Sequence, residues 1–279
     1  MRMNMLAFST LACPGWSIPT IIEKAVEFGY EGIEWRGGQQ GHISPAMPAR
    51  ARTSLQKMSR DTGITALSIT TYTSFVSPRA EERKSNVDEL RRYADLAAEI
   101  GAPYVRAFLG ELPPDTAINE KIYENILGCL NLSCEYAATV GVTIAVEPHD
   151  DFLRSSAVSP IFQRDSTPAD LRVIWDIGNT FSVGEGPAEG FSLWKDRLAY
   201  VQVKDGTGLG STWQLCPVGF GDVPLMQAFE LLLDHGYEGA LSVEWEYAWH
   251  PELDAPEIAL PAARWQIQKL LPSGSSERT

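Results

Sequence analysis

The chain is 279 residues long and 44% hydrophobic, enough to bury one large core, which excludes a disordered solvating segment. Its 36 acidic and 23 basic residues leave a formal charge of -13, which argues against a nucleic-acid binder because phosphate contacts need concentrated Lys and Arg. No stretch approaches the roughly 18 apolar residues of a membrane span, so a small molecule is the expected partner rather than a nucleic acid or a membrane.

The N-terminal MLAFSTLAC lacks the basic region of a secretory signal and reads as a first strand near residues 4–9. A soluble, cytoplasmic protein is the expectation. Cys13, Cys129, Cys134 and Cys216 are widely spaced, form no CxxC unit and read as buried thiols. SIPTIIEKAVEFG follows with Ile21, Ile22, Ala25, Val26 and Phe28 at helical spacing, and YEGIEWR supplies a second strand after a glycine stop. Pro45 to Thr62 reads as helix and GITALSITTY as the third strand. ERKSNVDELRRYADLAAEIG is the clearest helix, with Val87, Leu90, Tyr93, Ala94, Ala97 and Ile100 on one side and Gly101 as its cap.

APYVRAF is the fourth strand, NEKIYENILGCLNLSCEYAATVG a long helix and VTIAVEPHD the fifth strand. A looser stretch runs to Pro168, then LRVIWDIGN reads as strand and PAEGFSLWKD as a short helix. LAYVQVKDG, the helix-plus-turn VPLMQAFELLLDHGYEG, the strand ALSVEWEY and a helix over residues 256–271 complete the chain. Strands alternating with helices, with hairpin signals nearly absent, predict parallel pairing through right-handed crossovers. An open doubly wound sheet would carry a glycine-rich phosphate loop after its first strand, and STLACPGWS has no GxGxxG. The expected architecture is a single α/β domain, a (β/α)8 TIM barrel over residues 1–271, with a polar tail at 272–279.

In such a barrel the C-terminal strand ends meet at one mouth. The late strands end as VEPHD, WDIGN, QVKDG and VEWEY, and alternation makes Glu147, Asp176, Gln202 and Glu244 the natural inward set. Crowded carboxylates repel unless paired, and a divalent cation relieves that repulsion. Gln202 offers an amide oxygen as a neutral fourth donor. The competing reading is a polar network in which Lys204 and Arg106 neutralise the acids.

With those residues in view, the chain resembles the xylose isomerase-like TIM barrel superfamily, and within it the sugar phosphate isomerase/epimerase family. The resemblance spans roughly residues 3–271 and is carried by FGYEGIEWR, VTIAVEPH, VIWDIGN, VQVKD, VGFGD and LSVEWE. It implies one divalent metal held by Glu147, Asp176, Gln202 and Glu244, with Gln202 standing where the family carries histidine. An amide oxygen is a harder donor than imidazole, so Mn²⁺ is the expected ion, Mg²⁺ or Co²⁺ the alternatives, and Zn²⁺ less favoured. Some dehydroshikimate dehydratases of the superfamily use glutamine at this place.

The resemblance also implies proton abstraction beside a carbonyl, giving an enediolate, with Glu147 and Glu244 as the acid–base pair; sequence alone does not separate ligand from base. The expected reaction is isomerisation or epimerisation of a sugar-like hydroxy-ketone. The alternative is a lyase, a dehydratase of the dehydroshikimate or inosose type, and a more distant one is a non-catalytic binding barrel. Epimerases of free ketohexoses carry a histidine near Asn179 and an arginine near GTGLG, both missing here. The superfamily's DNA-repair endonucleases need extra histidines, and the chain has only four.

Lys204 shares the inward phase of Gln202 and is a candidate to hold a substrate oxygen; the alternative is a solvent-facing lysine. Arg106 is a carboxylate or phosphate clamp, or else an ion-pair partner. His149 is a candidate proton donor to a departing hydroxyl, or else a structural histidine bonded to Asp150. His42 lies on the loop after the second strand as a lid or substrate contact, and Trp16, Trp35 and Tyr72 either form an apolar wall for a sugar ring or are ordinary rim packing, with Trp245 and Trp249 on the far side of the mouth. His235 and His250 are read as surface residues without a role, and the GFGD segment as a tight loop beside the metal. A homodimer is compatible with the resemblance.

Overall fold

Eight short parallel strands close on themselves in the computed structural model, which describes residues 5–271. They are β1 (Leu6–Ser9), β2 (Gly32–Arg36), β3 (Thr65–Thr70), β4 (Tyr104–Ala107), β5 (Thr143–Val146), β6 (Arg172–Asp176), β7 (Leu198–Val203) and β10 (Leu241–Val243). Their order around the barrel is β1-β10-β7-β6-β5-β4-β3-β2, so the last strand pairs with the first. The tail at 272–279 lies outside the described residues.

The helices between them start and stop where the sequence supplies caps. In α1 (Ile18–Phe28) the Ser17 side chain accepts from the Thr20 N–H, and Gly29 ends the helix at φ 76, a left-handed conformation that costs glycine little. The segment read as helix from Pro45 begins later, as α2 (Ala49–Thr62), because Pro48 holds extended backbone at its N-cap. Then come α3 (Ala80–Ile100) and α4 (Glu120–Thr139), the latter capped by Asn119.

Three further departures have local causes. The looser stretch before Pro168 contains a helix, α5 (Ser155–Phe162), whose small residues and Pro160 hide its periodicity. The strand read as LRVIWDIGN stops at Asp176, whose carboxylate accepts from the Asn179 N–H and starts a helix, α6 (Ile177–Ser182). After β7 a small antiparallel ribbon, β8 (Gly206–Thr207) with β9 (Gln214–Leu215), replaces the expected direct passage to a helix. The remaining helices are α7 (Pro187–Trp194), α8 (Leu225–Asp234) and α9 (Pro256–Leu270).

Two register shifts set the inward columns. One extra residue on β3 places Ser68 beside Glu34, and one extra residue on β7 places Tyr200 beside Ile174 and Gln202 beside Asp176. Ala7, Leu67, Ala145, Ile174, Tyr200 and Ala240 pack as a cluster separate from the main core, filling the lower part of the barrel. Polar side chains follow on the same strands toward the C-terminal ends. None of the helices among the described residues is long and apolar enough to cross a membrane, and all four cysteines are free.

Candidate functional site

Above that apolar plug, Glu147, Asp176 and Glu244 each present a carboxylate oxygen, and the three atoms lie within 4.8 Å of one another. Backbone pairing carries Glu147 and Glu244 one step past their strands: Glu147 N donates to Ala107 O at 3.3 Å and Glu244 N to Val203 O at 3.1 Å. Gln202 sits between Asp176 and Ser242 in register, so all four side chains expected at the mouth are brought together.

Two cations serve this cluster. Arg106 Nη1 lies 2.8 Å from Glu147 Oε2 and 3.9 Å from Glu244 Oε1, while its guanidinium covers the Phe108 ring at 3.9 Å. Lys204 Nζ lies 2.7 Å from Glu244 Oε2 and 3.1 Å from Asp176 Oδ2, donates to Asn179 Oδ1 at 2.9 Å, and also reaches Glu246. Arg106 is thus an ion-pair partner of Glu147, and Lys204 is buried rather than turned to solvent. Asn179 completes the ring by donating to Glu147 Oε1 at 3.4 Å.

The electrostatics follow from depth and neighbours. Burial pushes the Glu147 carboxyl up against the pull of Arg106, and pushes Asp176 well above its ordinary value against the pull of Lys204. Burial acts on Glu244 in the same sense, but Lys204 and Arg106 outweigh it and hold that group down at about 2. Lys204 keeps its proton because Asp176, Glu244 and Glu246 overcome the cost of burying it. Glu34, deeper in the barrel, is raised to about 7 by burial and by the nearby Glu244 charge.

The donor set fits a divalent ion. Gln202 Oε1 is buried with no hydrogen-bond partner, and Asp176 Oδ2 has the Lys204 ion pair but no hydrogen bond. Lys204 and Arg106 bring two positive charges against Glu147, Asp176, Glu244 and Glu246, with Glu34 below them, so the site holds an excess of acidic groups that a divalent ion would offset. Three carboxylates and one amide oxygen are oxygen donors of the kind that hold a divalent ion.

A cavity of about 540 Å³ opens beside the cluster, reaching Arg106, Glu244 and Glu246 inside and Tyr72, His149 and Trp249 outside. His149 stacks on Phe108 with ring centroids 4.1 Å apart and pairs with Asp150 Oδ1 at 2.8 Å, so it is both held and half-exposed at this cavity. Tyr72 lines the same cavity.

Other expectations are corrected. Trp35 is fully buried outside the barrel, because alternation turns Glu34 inward and its neighbour the other way. Trp16 packs against Phe28 at 6.4 Å instead of lining the cavity. His42 bonds to Cys13 O at 3.1 Å and lines a different cavity, with Glu89, Arg92 and Tyr93 of α3. His250, given no role from sequence, lines the mouth cavity, whereas Trp245 is buried with its indole donating to Asp254 O. In the GFGD segment, Gly219 and Gly221 donate backbone N–H groups to Asp205 at 2.8 and 3.1 Å; its glycines clamp a carboxylate rather than shape a metal loop.

Glu34, Arg36, Phe108 and Glu246 were not found from sequence. Glu34 and Glu246 each lie two residues from a noted inward position or strand end, so strand phase held the signal. Arg36 emerges only in three dimensions, with its guanidinium 4.3 Å from the Trp249 ring and its Nε donating to Tyr72 OH at 2.9 Å.

Comparison with known proteins gives a consistent picture. The family model described as xylose isomerase-like TIM barrel matches residues 22–269. The fructoselysine 3-epimerase of Escherichia coli O157:H7 is 24% identical over 267 residues, covering 89% of this chain and 91% of that one. A D-tagatose 3-epimerase-like protein superposes with TM-score 0.79 at 18% identity over 96% of this chain and 97% of its own. A xylose isomerase-like TIM barrel/4-hydroxyphenylpyruvate dioxygenase fusion protein gives TM-score 0.77 at 20% identity over 96% of this chain, which spans only 43% of that longer protein.

Proposed function

The chain belongs to the xylose isomerase-like TIM barrel family, and from that premise we propose that it is a divalent-metal-dependent epimerase or isomerase acting on a sugar or sugar-like hydroxy-ketone. The observation that carries this reading is the buried cluster of Glu147, Asp176 and Glu244, with oxygens within 4.8 Å of one another beside an open cavity. The names of the related fructoselysine 3-epimerase and of the D-tagatose 3-epimerase-like protein both place the reaction at carbon 3. In a 2-ketose that carbon bears the hydrogen next to the carbonyl, the hydrogen that an enediolate route removes.

Glu147, Asp176, Gln202 and Glu244 would hold the ion, Mn²⁺ by preference. When bound, it supplies Lewis-acid polarisation of the substrate carbonyl and stabilises the charge that develops on the oxygen. Glu147 and Glu244 take a proton from the carbon beside the carbonyl and return one. Arg106 orients Glu147 through the 2.8 Å ion pair. Lys204, held by Glu246 and Asn179, keeps Glu244 ionised and in place through its 2.7 Å ion pair. Phe108, Tyr72 and Trp249 give the ring an apolar wall and limit water.

A dehydratase is the second reading, and the placement of His149 favours it. The imidazole is fixed by Asp150 and Phe108 at the same cavity, where it would protonate a departing hydroxyl. Incubation of Mn²⁺-loaded protein with ketoses, inososes and dehydroshikimate in deuterium oxide, followed by proton NMR, separates the two. Deuterium entering beside a carbonyl without loss of water supports the epimerase; a new alkene or aromatic signal supports the dehydratase. Retention of every substrate proton across the panel overturns both in favour of a binding barrel.

A further inference from the structure

Glu34 has no part in the chemistry above, yet it is fully buried beside the metal cluster. Its Oε1 accepts from Tyr200 OH at 2.6 Å and from Gln202 Nε2 at 2.9 Å, and its Oε2 accepts from Ser242 Oγ at 2.7 Å. Gln202 Nε2 also donates to Glu244 Oε1 at 3.1 Å. A primary amide has one donating end and one accepting end. Turning the Gln202 amide over would set its oxygen against two carboxylate oxygens, so the nitrogen belongs on Glu34 and Glu244. The oxygen is left on the other side, buried and without a hydrogen-bond partner among the described residues.

We propose that Glu34 is a positioning residue: it locks the Gln202 amide so that Oε1 is presented as the fourth oxygen donor to Glu147, Asp176 and Glu244, and thereby biases the site toward hard divalent ions. The inference rests on the metal-dependent reading above. A glutamine lacking this anchor would offer nitrogen or oxygen with little preference, and an amide nitrogen is not a metal donor. Tyr200 is tied to Glu34 but also bonded to Ser68 Oγ at 2.8 Å, so it keeps a partner when Glu34 is changed. Groups that orient a ligand typically change metal affinity about 10–100-fold when removed.

The test is Mn²⁺ titration calorimetry, with Co²⁺ visible absorption as a report on the donor set, for the parent, Glu34→Gln, Glu34→Leu, Gln202→Ala and the double variant Glu34→Leu/Gln202→Ala. Glu34→Leu is expected to lose about 10–100-fold in Mn²⁺ affinity and to shift the Co²⁺ spectrum, and Glu34→Gln, which keeps an acceptor, to stay within about threefold of the parent. The double variant should bind no more weakly than Gln202→Ala alone, because Glu34 acts through Gln202. Full affinity and an unchanged spectrum in Glu34→Leu overturn the positioning role, as does an undiminished Glu34→Leu penalty in the Gln202→Ala background. Absence of Mn²⁺ and Co²⁺ binding by the parent overturns the metal-dependent reading itself. Should Glu34→Leu fail to fold, a crystal structure of the Mn²⁺-loaded parent decides: Oε1 of Gln202 on the ion with Nε2 on Glu34 supports the proposal, and Gln202 outside the coordination sphere overturns it.

Discussion

Lys204 Nζ lies 2.7 Å from Glu244 Oε2, and its ammonium reaches Asp176 Oδ2 at 3.1 Å as well. Those oxygens belong to residues that would bind the divalent ion, so the lysine and the metal share partners. Removing a buried cation leaves its carboxylates unpaired at a cost of about 3–5 kcal/mol. Lys204→Met is therefore expected to lose stability of that order in metal-free urea denaturation, and to regain more of it on adding Mn²⁺ than the parent gains. Equal unfolding midpoints for the two metal-free proteins would contradict this.

The acid–base pair makes a separate demand. Glu147→Gln and Glu244→Gln should each lower solvent-proton exchange at the substrate carbon by about 10²–10⁴-fold. Both variants keep the shape of the side chain, so circular dichroism should report the same fold, while melting should fall because Arg106 or Lys204 loses a buried ion-pair partner. Exchange within a factor of ten of the parent in either variant would remove that residue from the proton path.

Metal affinity should rise with pH. Burial holds the Glu147 and Asp176 carboxyls above their ordinary values, Asp176 well above. At a pH where exposed carboxylates are already ionised these two retain protons, and the ion must displace them. Each proton released gives about a tenfold gain in affinity per pH unit below the raised value, and none above it. Mn²⁺ calorimetry at several pH values, in buffers of different ionisation enthalpy, reads both affinity and proton release. An affinity that does not change with pH, with no proton released on binding, would go against the raised carboxyls.

Gln202→His tests the ligand itself. Imidazole is a softer donor than an amide oxygen, so Zn²⁺ affinity should increase by about tenfold or more while the fold is retained. Equal Zn²⁺ affinity in the two proteins would place residue 202 away from the ion.

The barrel and the four mouth residues were legible in the sequence because two simple periods carry them. Helical spacing marked α1 and α3, and strand alternation put Glu147, Asp176, Gln202 and Glu244 on one side. The same alternation applied to β2 sends Glu34 inward and Trp35 outward. What the sequence hid depends on departures from regularity. The extra residues on β3 and β7 align Ser68 with Glu34 and Tyr200 with Ile174, and no local pattern announces them. Arg36 meets Trp249 only because the barrel closes, which brings positions more than 200 residues apart into contact.

That closure has a bearing on how the chain reaches its native state. β1 pairs with β10, Leu6 with Leu241 and Phe8 with Val243, and β10 is also the partner of β7. Until the ribosome has released residue 243, β1 and β7 each present an open edge with unpaired N–H and C=O groups, available to strands of another chain. The long loop closed by this pairing makes it an entropically late event in folding. A polypeptide halted before its final strand would thus hold most of its hydrophobic residues but two sticky edges, and nascent chains stalled there would be the ones most in need of chaperone protection.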